Sequence, residues 1–307
     1  MVKRPRARPR SLARRGRRVF PAAFFFALLS LVLAVALYLE SCPSRPWPPP
    51  PAPSPTVRPP RPARTRAPTP SLRPPRLPGR TPLPAAGPPR AAIVIDDLGN
   101  ELAPAERIAG WREPVAGAVL PRLRWSAASA EALRRGGKQV LLHLPMEPAG
   151  YPRVRPGPGL VLRSQTDAEI ARTLEEDLAT VPGAVGVNNH MGSAATADPR
   201  VMRAVVAVLS RRGLFFLDSR TTDATVAEKT AEDASVPAVS RRVFLDDVAT
   251  EEAVRAQLSE LVRRARQEGD AVAIGHPYPA TLAVLEKELP GLASRGVRLV
   301  RVSELVK

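Results

Sequence analysis

From residue 91 onward, short aliphatic runs alternate with longer runs in which apolar and polar residues mix at helical spacing. Eight short runs predict β-strands, and they are Ala91–Ile95, Val115–Leu120, Gln139–Leu142, Ala184–Val187, Leu214–Leu217, Val243–Leu245, Ala271–Ile274 and Val297–Val300. Five longer runs predict helices, at Trp125–Arg135, Asp167–Leu178, Pro199–Arg211, Thr250–Glu268 and Thr281–Glu288. Strands that alternate with helices favour βαβ units and a parallel sheet, so we predict an α/β fold.

Residues typical of helix ends support these boundaries. Thr166 and Asp198 stand where they would cap helix N-termini, and Gly136, Gly213 and Gly269 stand where helices would stop. Seven or eight βα units in about 215 residues predict a closed or nearly closed (β/α) barrel. An open doubly wound sheet is the alternative arrangement of the same units.

The pattern before residue 91 differs from that of the domain. Residues 1–18 carry nine basic residues and no acidic one, which makes them a basic tail. Residues 19–39 are apolar except for Ser30, and 21 residues are enough to cross a bilayer as a helix. Because this run is longer than the apolar core of a signal peptide, it predicts an uncleaved transmembrane anchor. The arginines before it predict a cytoplasmic tail, with everything after the anchor outside the cytoplasmic membrane, in the periplasm if the cell has an outer membrane.

Residues 40–90 predict a disordered, proline- and arginine-rich linker. Between residues 43 and 90 there are 20 prolines in 48 positions, and such a segment cannot bury a core. We expect it to be an extended spacer between the anchor and a domain that comprises residues 91–307. That length suits one domain with a substantial hydrophobic core.

The charge distribution bears on the choice of partner. The whole chain has a formal charge of +17, which by itself would suggest a nucleic acid or a membrane surface. Residues 1–90 hold 18 basic residues and one acidic residue, so the whole excess belongs to them. The remaining residues balance 28 basic against 28 acidic ones, and we therefore expect no nucleic-acid partner for the domain.

Polar residues of catalytic types follow most of the predicted strands. All three histidines of the chain stand just past a strand, and carboxylates or amides follow others: Asp96 and Asp97; His143; Asn188, Asn189 and His190; Asp218; Asp246 and Asp247; His276. In a parallel barrel the carboxyl ends of the strands share one face, where sites are built. Aspartate and neutral imidazole are ligands that suit zinc or another divalent metal.

Some of these residues also have a purely structural interpretation. Asp246 and Asp247 could only cap the next helix, and Asp218 with Ser219 could be a turn pair. Asp96 and Asp97 are the least easily explained, because each raises the cost of ionising its neighbour unless a cation lies nearby. Side chains alternate along a strand, so both carboxylates reach one pocket only if the strand ends there, as Gly99 suggests.

Six segments in order, VIDDLG, LLHLPMEP, GVNNHMGS, FFLDSRT, VFLDD and AIGHPYP, resemble the divergent polysaccharide deacetylases over about residues 91–305. The resemblance implies a distorted (β/α) barrel of about seven strands. It also implies metal-dependent hydrolysis of acetyl groups on a cell-envelope polysaccharide or glycan, with zinc or another divalent metal as cofactor.

The resemblance further implies roles for individual residues. Asp96 matches the general base, Asp97 and His143 match metal ligands, and His276 matches the general acid of the related metal-dependent deacetylases. Those relatives have a second histidine four residues after the first ligand histidine, where this chain has Glu147.

That departure leaves the third metal ligand open. His190 is our prediction and Glu147 the reserve, and Glu147 is otherwise grouped with Asn188, Asn189 and Asp218 as a candidate substrate-binding residue. The missing histidine also favours an alternative function, a membrane-tethered glycan-binding or envelope-organising module that has lost turnover.

Overall fold

The computed structural model describes residues 87–307. The predicted basic tail (1–18), the anchor (19–39) and nearly all of the linker (40–90) lie outside the described residues. None of the helices within residues 87–307 has the length and apolar character that a membrane crossing requires.

Within residues 87–307 the chain forms nine strands and seven α-helices. The strands are β1 Arg90–Leu98, β2 Ala116–Val119, β3 Val140–Met146, β4 Ala184–Met191, β5 Phe215–Asp218, β6 Ala238–Ser240, β7 Val243–Phe244, β8 Asp270–Gly275 and β9 Arg298–Leu299. The helices are α1 Ala103–Ala109, α2 Ser126–Arg135, α3 Asp167–Thr180, α4 Pro199–Arg212, α5 Ala227–Asp233, α6 Glu251–Glu268 and α7 Pro279–Glu288. All eight predicted strands and all five predicted helices are present, with ends shifted by up to four residues.

One strand and two helices escaped prediction because each is too short to show a period. Helices α1 and α5 have seven residues and bury only two each, Ala105 and Ile108 in one and Ala227 and Ala231 in the other. Strand β6 has three residues. Two buried positions fit a helix, a strand or a loop equally well, so tertiary packing decides the conformation of such segments.

The strands form one parallel sheet in the order β6-β5-β4-β3-β2-β1-β8-β7, with β9 paired to the start of β1. The predicted parallel α/β class is confirmed. The sheet is a half-barrel with eight strands along its path, and not a barrel of about seven strands. Its two edge strands, β6 and β7, are separated in the chain by Arg241 and Arg242 alone.

Those two residues cross from one edge of the sheet to the other. The backbone N–H of Arg241 donates to the carbonyl of Asp218 at the end of β5, over 2.9 Å. The next N–H, of Arg242, donates to the carbonyl of Val272 in β8, over 2.8 Å. The segment Arg241–Arg242, which we call the crossing, therefore joins both edges of the half-barrel.

The predicted helix caps are present. The hydroxyl of Thr166 accepts from the N–H of Glu169, whose carboxylate accepts from Thr166 in return, and Asp198 accepts from the N–H groups of Arg200 and Val201. Each cap stabilises its helix by about 1 kcal/mol. Gly136, Gly213 and Gly269 follow the last residues of α2, α4 and α6, as predicted.

Alternation along the strands gives the sheet two apolar faces. In β1, Ala91, Ile93 and Ile95 belong to the core that the helices share, whereas Ala92 and Val94 face the inside of the half-barrel. The inner cluster is made of strand residues and of the C-terminal segment, and it includes Ala116, Ala118, Leu141, Phe215, Leu217, Val272, Ile274, Val300, Val302 and Leu305. The inside is therefore filled, and polar side chains can gather only at its mouth.

Candidate metal centre

Three polar residues lie at the mouth of the half-barrel, on the same face of the sheet as the inner cluster. Asp96, His143 and His276 each stand two residues after an inner aliphatic residue of the same strand: Val94, Leu141 and Ile274. Since successive side chains point to opposite faces, a residue two positions on returns to the same face. Their strands β1, β3 and β8 lie close together in the sheet, so the three side chains meet.

Asp97 reaches the same mouth through a bulge in β1. Ile95 pairs with Gly117 and Leu98 pairs with Val119, so β1 has one more residue than β2 over this stretch. Asp97 has a φ of +57°, a left-handed conformation that aspartate tolerates better than most residues. The bulge at Asp97 itself, and not only the turn at Gly99, turns both adjacent carboxylates toward one pocket.

Two more non-glycine residues beside the site have left-handed backbones. Met191 has a φ of +52° directly after His190, and Arg220 has a φ of +48° directly after Ser219. Such conformations cost about 1 kcal/mol or more each and persist where the surrounding structure imposes them. Together with Asp97 they mark the carboxyl ends of β1, β4 and β5.

Three potential ligand atoms converge at the mouth. Asp97 Oδ1 lies 3.2 Å from His143 Nε2 and 3.0 Å from His190 Nδ1, and the two histidine nitrogens are 3.1 Å apart. Asp97 Oδ1 is buried and has no hydrogen-bond partner of good geometry. The sequence-predicted ligand set Asp97, His143 and His190 thus forms one cluster, which we call the metal cluster.

The protonation pattern of His143 explains why the metal cluster suits a cation. Its Nδ1 faces the amide oxygen of Asn188 at 2.9 Å and must carry the hydrogen of that contact. In the neutral ring, Nε2 then points a lone pair at the carboxylate oxygen of Asp97. A divalent metal such as zinc satisfies two imidazole nitrogens and one carboxylate oxygen, so the residues present fit a metal.

When no metal is bound, a proton can occupy Nε2 of His143. Burial lowers the pKa of His143, but the negative charges of Asp96 and Asp97 outweigh burial and raise it above its ordinary value. Protons and a metal therefore compete for the same nitrogen, as at other histidine metal sites.

Asn188 positions the site and its side chain is fully occupied. Besides facing His143, its amide nitrogen donates to Asp96 Oδ1 at 2.8 Å and to Ser219 Oγ at 3.3 Å, and the residue has no solvent exposure. An amide between a ligand histidine and a carboxylate fixes the orientation of both groups. The contacts of Asn188 in the structure are all with protein groups, and its predicted role in substrate binding stays a prediction.

The two adjacent aspartates differ in their electrostatics. Burial raises the pKa of Asp96, although His143, His276 and Asn188 all oppose this shift. Burial also works against the charge of Asp97, but the rings of His143 and His190 outweigh it and hold its pKa well below the ordinary range. Environments that push two pKa values apart separate a proton acceptor from a permanently charged ligand.

His276 forms a second polar pair at the mouth, with Asp246. Its Nδ1 lies 2.9 Å from Asp246 Oδ1, while Asp246 Oδ2 accepts from the His276 N–H at 2.6 Å and from the Thr281 hydroxyl at 2.7 Å. Burial lowers the pKa of His276, but Asp246 and the more distant Asp96 and Asp97 outweigh it and raise the pKa. The raised pKa favours the imidazolium form, in which Nε2, 3.9 Å from Asp97 Oδ2, also carries a hydrogen.

A cavity of about 740 Å³ opens from the metal cluster. Its wall includes Asp96 and His276 and continues over the crossing to Phe244 and Asp247 and then to helix α6, which contributes Gln257, Glu260 and Arg264. A second concavity of about 290 Å³ shares Asp97 and His276 with it and is bordered by the exposed Tyr278. The metal cluster therefore lies between two open spaces.

Two residues predicted to bind substrate, Asn189 and Asp218, have contacts within the protein instead of at the metal cluster. Asn189 borders the cavity, but its amide binds the Met191 carbonyl and the Ser219 N–H. Asp218 does not line the cavity; its carboxylate accepts from the Arg220 N–H and the Thr225 hydroxyl, as a turn residue does.

Glu147 also lies apart from the metal cluster. Its carboxylate accepts from the backbone N–H of Arg163 at 2.7 Å and from the guanidinium of that residue at 3.0 Å. His190 occupies the third position of the cluster instead.

Sequence reasoning missed the function of Asp246 and the presence of Arg241 and Phe244 in the cavity wall. From the sequence alone, helix capping is one of two interpretations of Asp246. The available signal was that VFLDD and AIGHPYP are consecutive predicted strands, because neighbouring parallel strands can place Asp246 beside His276.

Comparisons with known proteins identify relatives of this chain. The family model of the divergent polysaccharide deacetylases matches residues 93–306. An uncharacterised protein of Haemophilus influenzae is 37% identical over 216 residues, which cover 70% of this chain and 76% of that one. The uncharacterised protein YibQ of Escherichia coli is 36% identical over 218 residues, covering 71% and 67% of the two chains.

A crystal structure shares the fold. An uncharacterised protein from Agrobacterium tumefaciens has a TM-score of 0.69 and 28% sequence identity to this chain, over 74% of this chain and 92% of that one. The family match covers well over half of the sequence and includes every residue of the metal cluster. The chain therefore belongs to the divergent polysaccharide deacetylase family.

Proposed function

We propose that the domain is a metal-dependent hydrolase that removes acetyl groups from a cell-envelope glycan. The observation that carries this proposal is the convergence of Asp97, His143 and His190 at the mouth of the half-barrel, with Asp96 and His276 beside them in one open cavity. Family membership supplies the substrate class, a polysaccharide.

Asp97, His143 and His190 would hold the metal. A divalent cation there supplies Lewis-acid activation of water and of the acetyl carbonyl. The side chains themselves must stay oriented and deprotonated, and Asn188 contributes by fixing the ring of His143 through Nδ1.

Asp96 acts as the general base. Its carboxylate lies in the cavity wall, 3.6 Å from His143 Nε2, and burial raises its pKa above the ordinary range of a carboxylate. A base works best when its pKa lies near the operating pH. As water forms its bond to the acetyl carbon, Asp96 takes the water proton.

His276 acts as the general acid. With Asp246 at Nδ1, its protonated Nε2 faces the site and can donate to the departing nitrogen or oxygen. The bond between the acetyl carbon and the sugar nitrogen or oxygen breaks as that atom receives the proton. The products are acetate and the free amine or hydroxyl.

Acetate release tests this function. The purified protein, loaded with zinc, is incubated with acetylated chitooligosaccharides or peptidoglycan fragments, with and without a chelator. We expect acetate release that the chelator stops and that added metal restores. Release that the chelator leaves unchanged would contradict the metal, and an absence of release from every acetylated glycan would contradict the hydrolase.

The alternative, a glycan-binding module without turnover, was favoured by the missing second histidine at Glu147. Glu147 is engaged by Arg163, and His190 completes a three-residue cluster without it. That feature no longer supports a loss of activity. Binding of the same oligosaccharides without acetate release would restore this alternative.

We expect Asp246→Asn to shift the alkaline limb of the kcat profile to lower pH. Asp246 raises the pKa of His276, so the wild-type imidazolium persists above its ordinary range and is lost as pH rises through the raised value. Removing this negative charge lowers the pKa, and the proton donor is then lost at a lower pH. The measurement is acetate release against pH, with metal content checked at each point.

Thr281→Val is the matched control for that variant. It removes the hydroxyl that donates to Asp246 but changes no charge, so the alkaline limb should move little. An unmoved limb in Asp246→Asn would show that His276 is not the proton donor.

Residues 1–90 support a proposal for the location of the activity. With a cytoplasmic basic tail and an anchor at residues 19–39, the domain would act on glycans outside the cytoplasmic membrane, at the end of the linker. A reporter fused after residue 90 tests this topology, because activity of a cytoplasm-specific reporter there would contradict it.

A further inference from the structure

Arg241 is a cation of the cavity wall that lacks an ionic partner. Arg242 lies 3.2 Å from Glu268, and Arg264 lies 2.9 Å from Glu260 and 3.1 Å from Glu268. Within residues 87–307, Arg241 has no carboxylate oxygen within 4.0 Å of its guanidinium. It is the member of this arginine group that has no carboxylate in direct contact, and Asp218, Asp96 and Asp247 act on its charge only from a longer distance.

The guanidinium of Arg241 is fixed in place. Its Nε donates to the carbonyl of Ser219 at 2.7 Å and one terminal nitrogen donates to the carbonyl of Arg220 at 3.0 Å. Its central carbon lies 5.1 Å from the centre of the Phe244 ring, within the range of a cation–π contact. These contacts use part of its five N–H donors and leave the others for a ligand.

The surroundings of Arg241 favour an anion. The residue is half-buried in the wall of the cavity that holds the metal cluster. Burial and the neighbouring Arg220 lower the pKa of its guanidinium, and the more distant Asp218, Asp96 and Asp247 offset only part of that shift. A partly desolvated charge without a partner is costly, and a ligand carboxylate would offset that cost. Arginine suits this ligand because its planar fork can bind both carboxylate oxygens.

Phe244 connects this cation to the reacting end of the cavity. Its ring centre lies 5.1 Å from the guanidinium carbon of Arg241 and 5.2 Å from the ring centre of His276. A sugar whose acetyl group reaches the metal cluster can therefore extend over Phe244 toward Arg241 within one cavity of about 740 Å³.

We propose that Arg241 is a specificity-determining residue that binds a carboxylate of the substrate, so that the preferred glycan carries an acidic group close to the acetylated position. This inference rests on the proposed function for the placement of the acetyl group. It narrows the substrate class from acetylated glycans in general to acidic acetamido sugars.

A matched pair of sugars tests the subsite. N-acetylmuramic acid and N-acetylglucosamine differ by a lactyl ether that carries a carboxylate, and their dissociation constants are measured on the zinc-loaded full chain by NMR or calorimetric titration. We expect the acidic sugar to bind about tenfold more tightly or better, as a charge-assisted hydrogen bond allows. Glucuronic acid against glucose shows whether a carboxylate directly on the ring also suffices.

The variant Arg241→Gln should bring the ratio of the two affinities close to one. If Arg241 only holds the loop at Ser219 and Arg220 in place, the variant should bind both sugars more weakly by the same factor, and the ratio of the two affinities should not change. Arg242→Gln is the control, because Arg242 lines the same cavity but is paired with Glu268, and it should preserve the ratio.

Two results would overturn the subsite: equal binding of both sugars by the wild-type chain, or a ratio that persists in Arg241→Gln. Acetate release is measured on the same preparations. If the wild-type chain binds the acidic sugar more tightly but releases no acetate, the hydrolase is contradicted and the subsite is kept. If the chain releases acetate but binds both sugars equally, only the subsite is contradicted.

Discussion

His143→Ala should lose its metal and its deacetylase activity while the domain stays folded. His143 contributes Nε2 to the metal cluster, and its removal leaves one carboxylate and one imidazole, too few ligands to retain zinc through dialysis. We expect the metal content to fall from about one ion per chain to background. Metal analysis measures this loss, and circular dichroism with thermal unfolding shows whether the fold persists.

Glu147→Gln is the matched control, because Glu147 lies on the same stretch of chain and was the reserve candidate for a ligand. Its carboxylate binds Arg163, so its neutral analogue should keep the metal and lose only an ion pair. If Glu147→Gln lost the metal while His190→Ala kept it, the assignment of the third ligand would be reversed. If His143→Ala still bound one zinc ion per chain, the assignment of the metal cluster as the metal site would be wrong.

Asp96→Asn should lower kcat by about 10²- to 10⁴-fold, the usual contribution of general acid–base catalysis, while metal content stays unchanged. Asp96 is buried beside the cluster and has a raised pKa, which suits a proton acceptor. An amide of the same shape can still accept from Asn188, but it cannot take a proton from water. Steady-state acetate release with metal analysis distinguishes a lost base from a lost ligand.

The neighbouring variant Asp97→Asn should behave in the opposite way and lose the metal. Asparagine tolerates the left-handed backbone that Asp97 adopts, so the bulge can persist while the negative charge disappears. If both variants lost the metal equally, the two aspartates would share one role, and the assignment of base and ligand would fail.

Much of the fold and of the cluster could be predicted from residues that act locally. The aliphatic runs and caps gave strands and helices, because periodicity and capping depend on neighbours in the chain. His143, His190 and His276 could be placed on one face because parallel strands present their carboxyl ends together. Which side chains then touch depends on register, and no local pattern encodes that.

The positions of Asp97 and Asp246 show which contacts could not be predicted from the sequence. Alternation alone would turn Asp97 away from Asp96, and an extra residue in β1 reverses that outcome. Asp246 meets His276 because the two-residue strand β7 pairs with β8 at the edge of the sheet. Both effects are set by pairing between distant segments.

The crossing at Arg241–Arg242 has a mechanical consequence. Three residue steps join Ser240 at the end of β6 to Val243 at the start of β7, and they span at most about 11 Å, so the crossing limits how far the two edges of the half-barrel can separate. The same two residues line the cavity that opens from the metal cluster, so this tie lies directly beside the candidate site. Under the proposed function, the choice among glycans depends on the groups that border this opening, and Arg241 of the crossing is a cation among them.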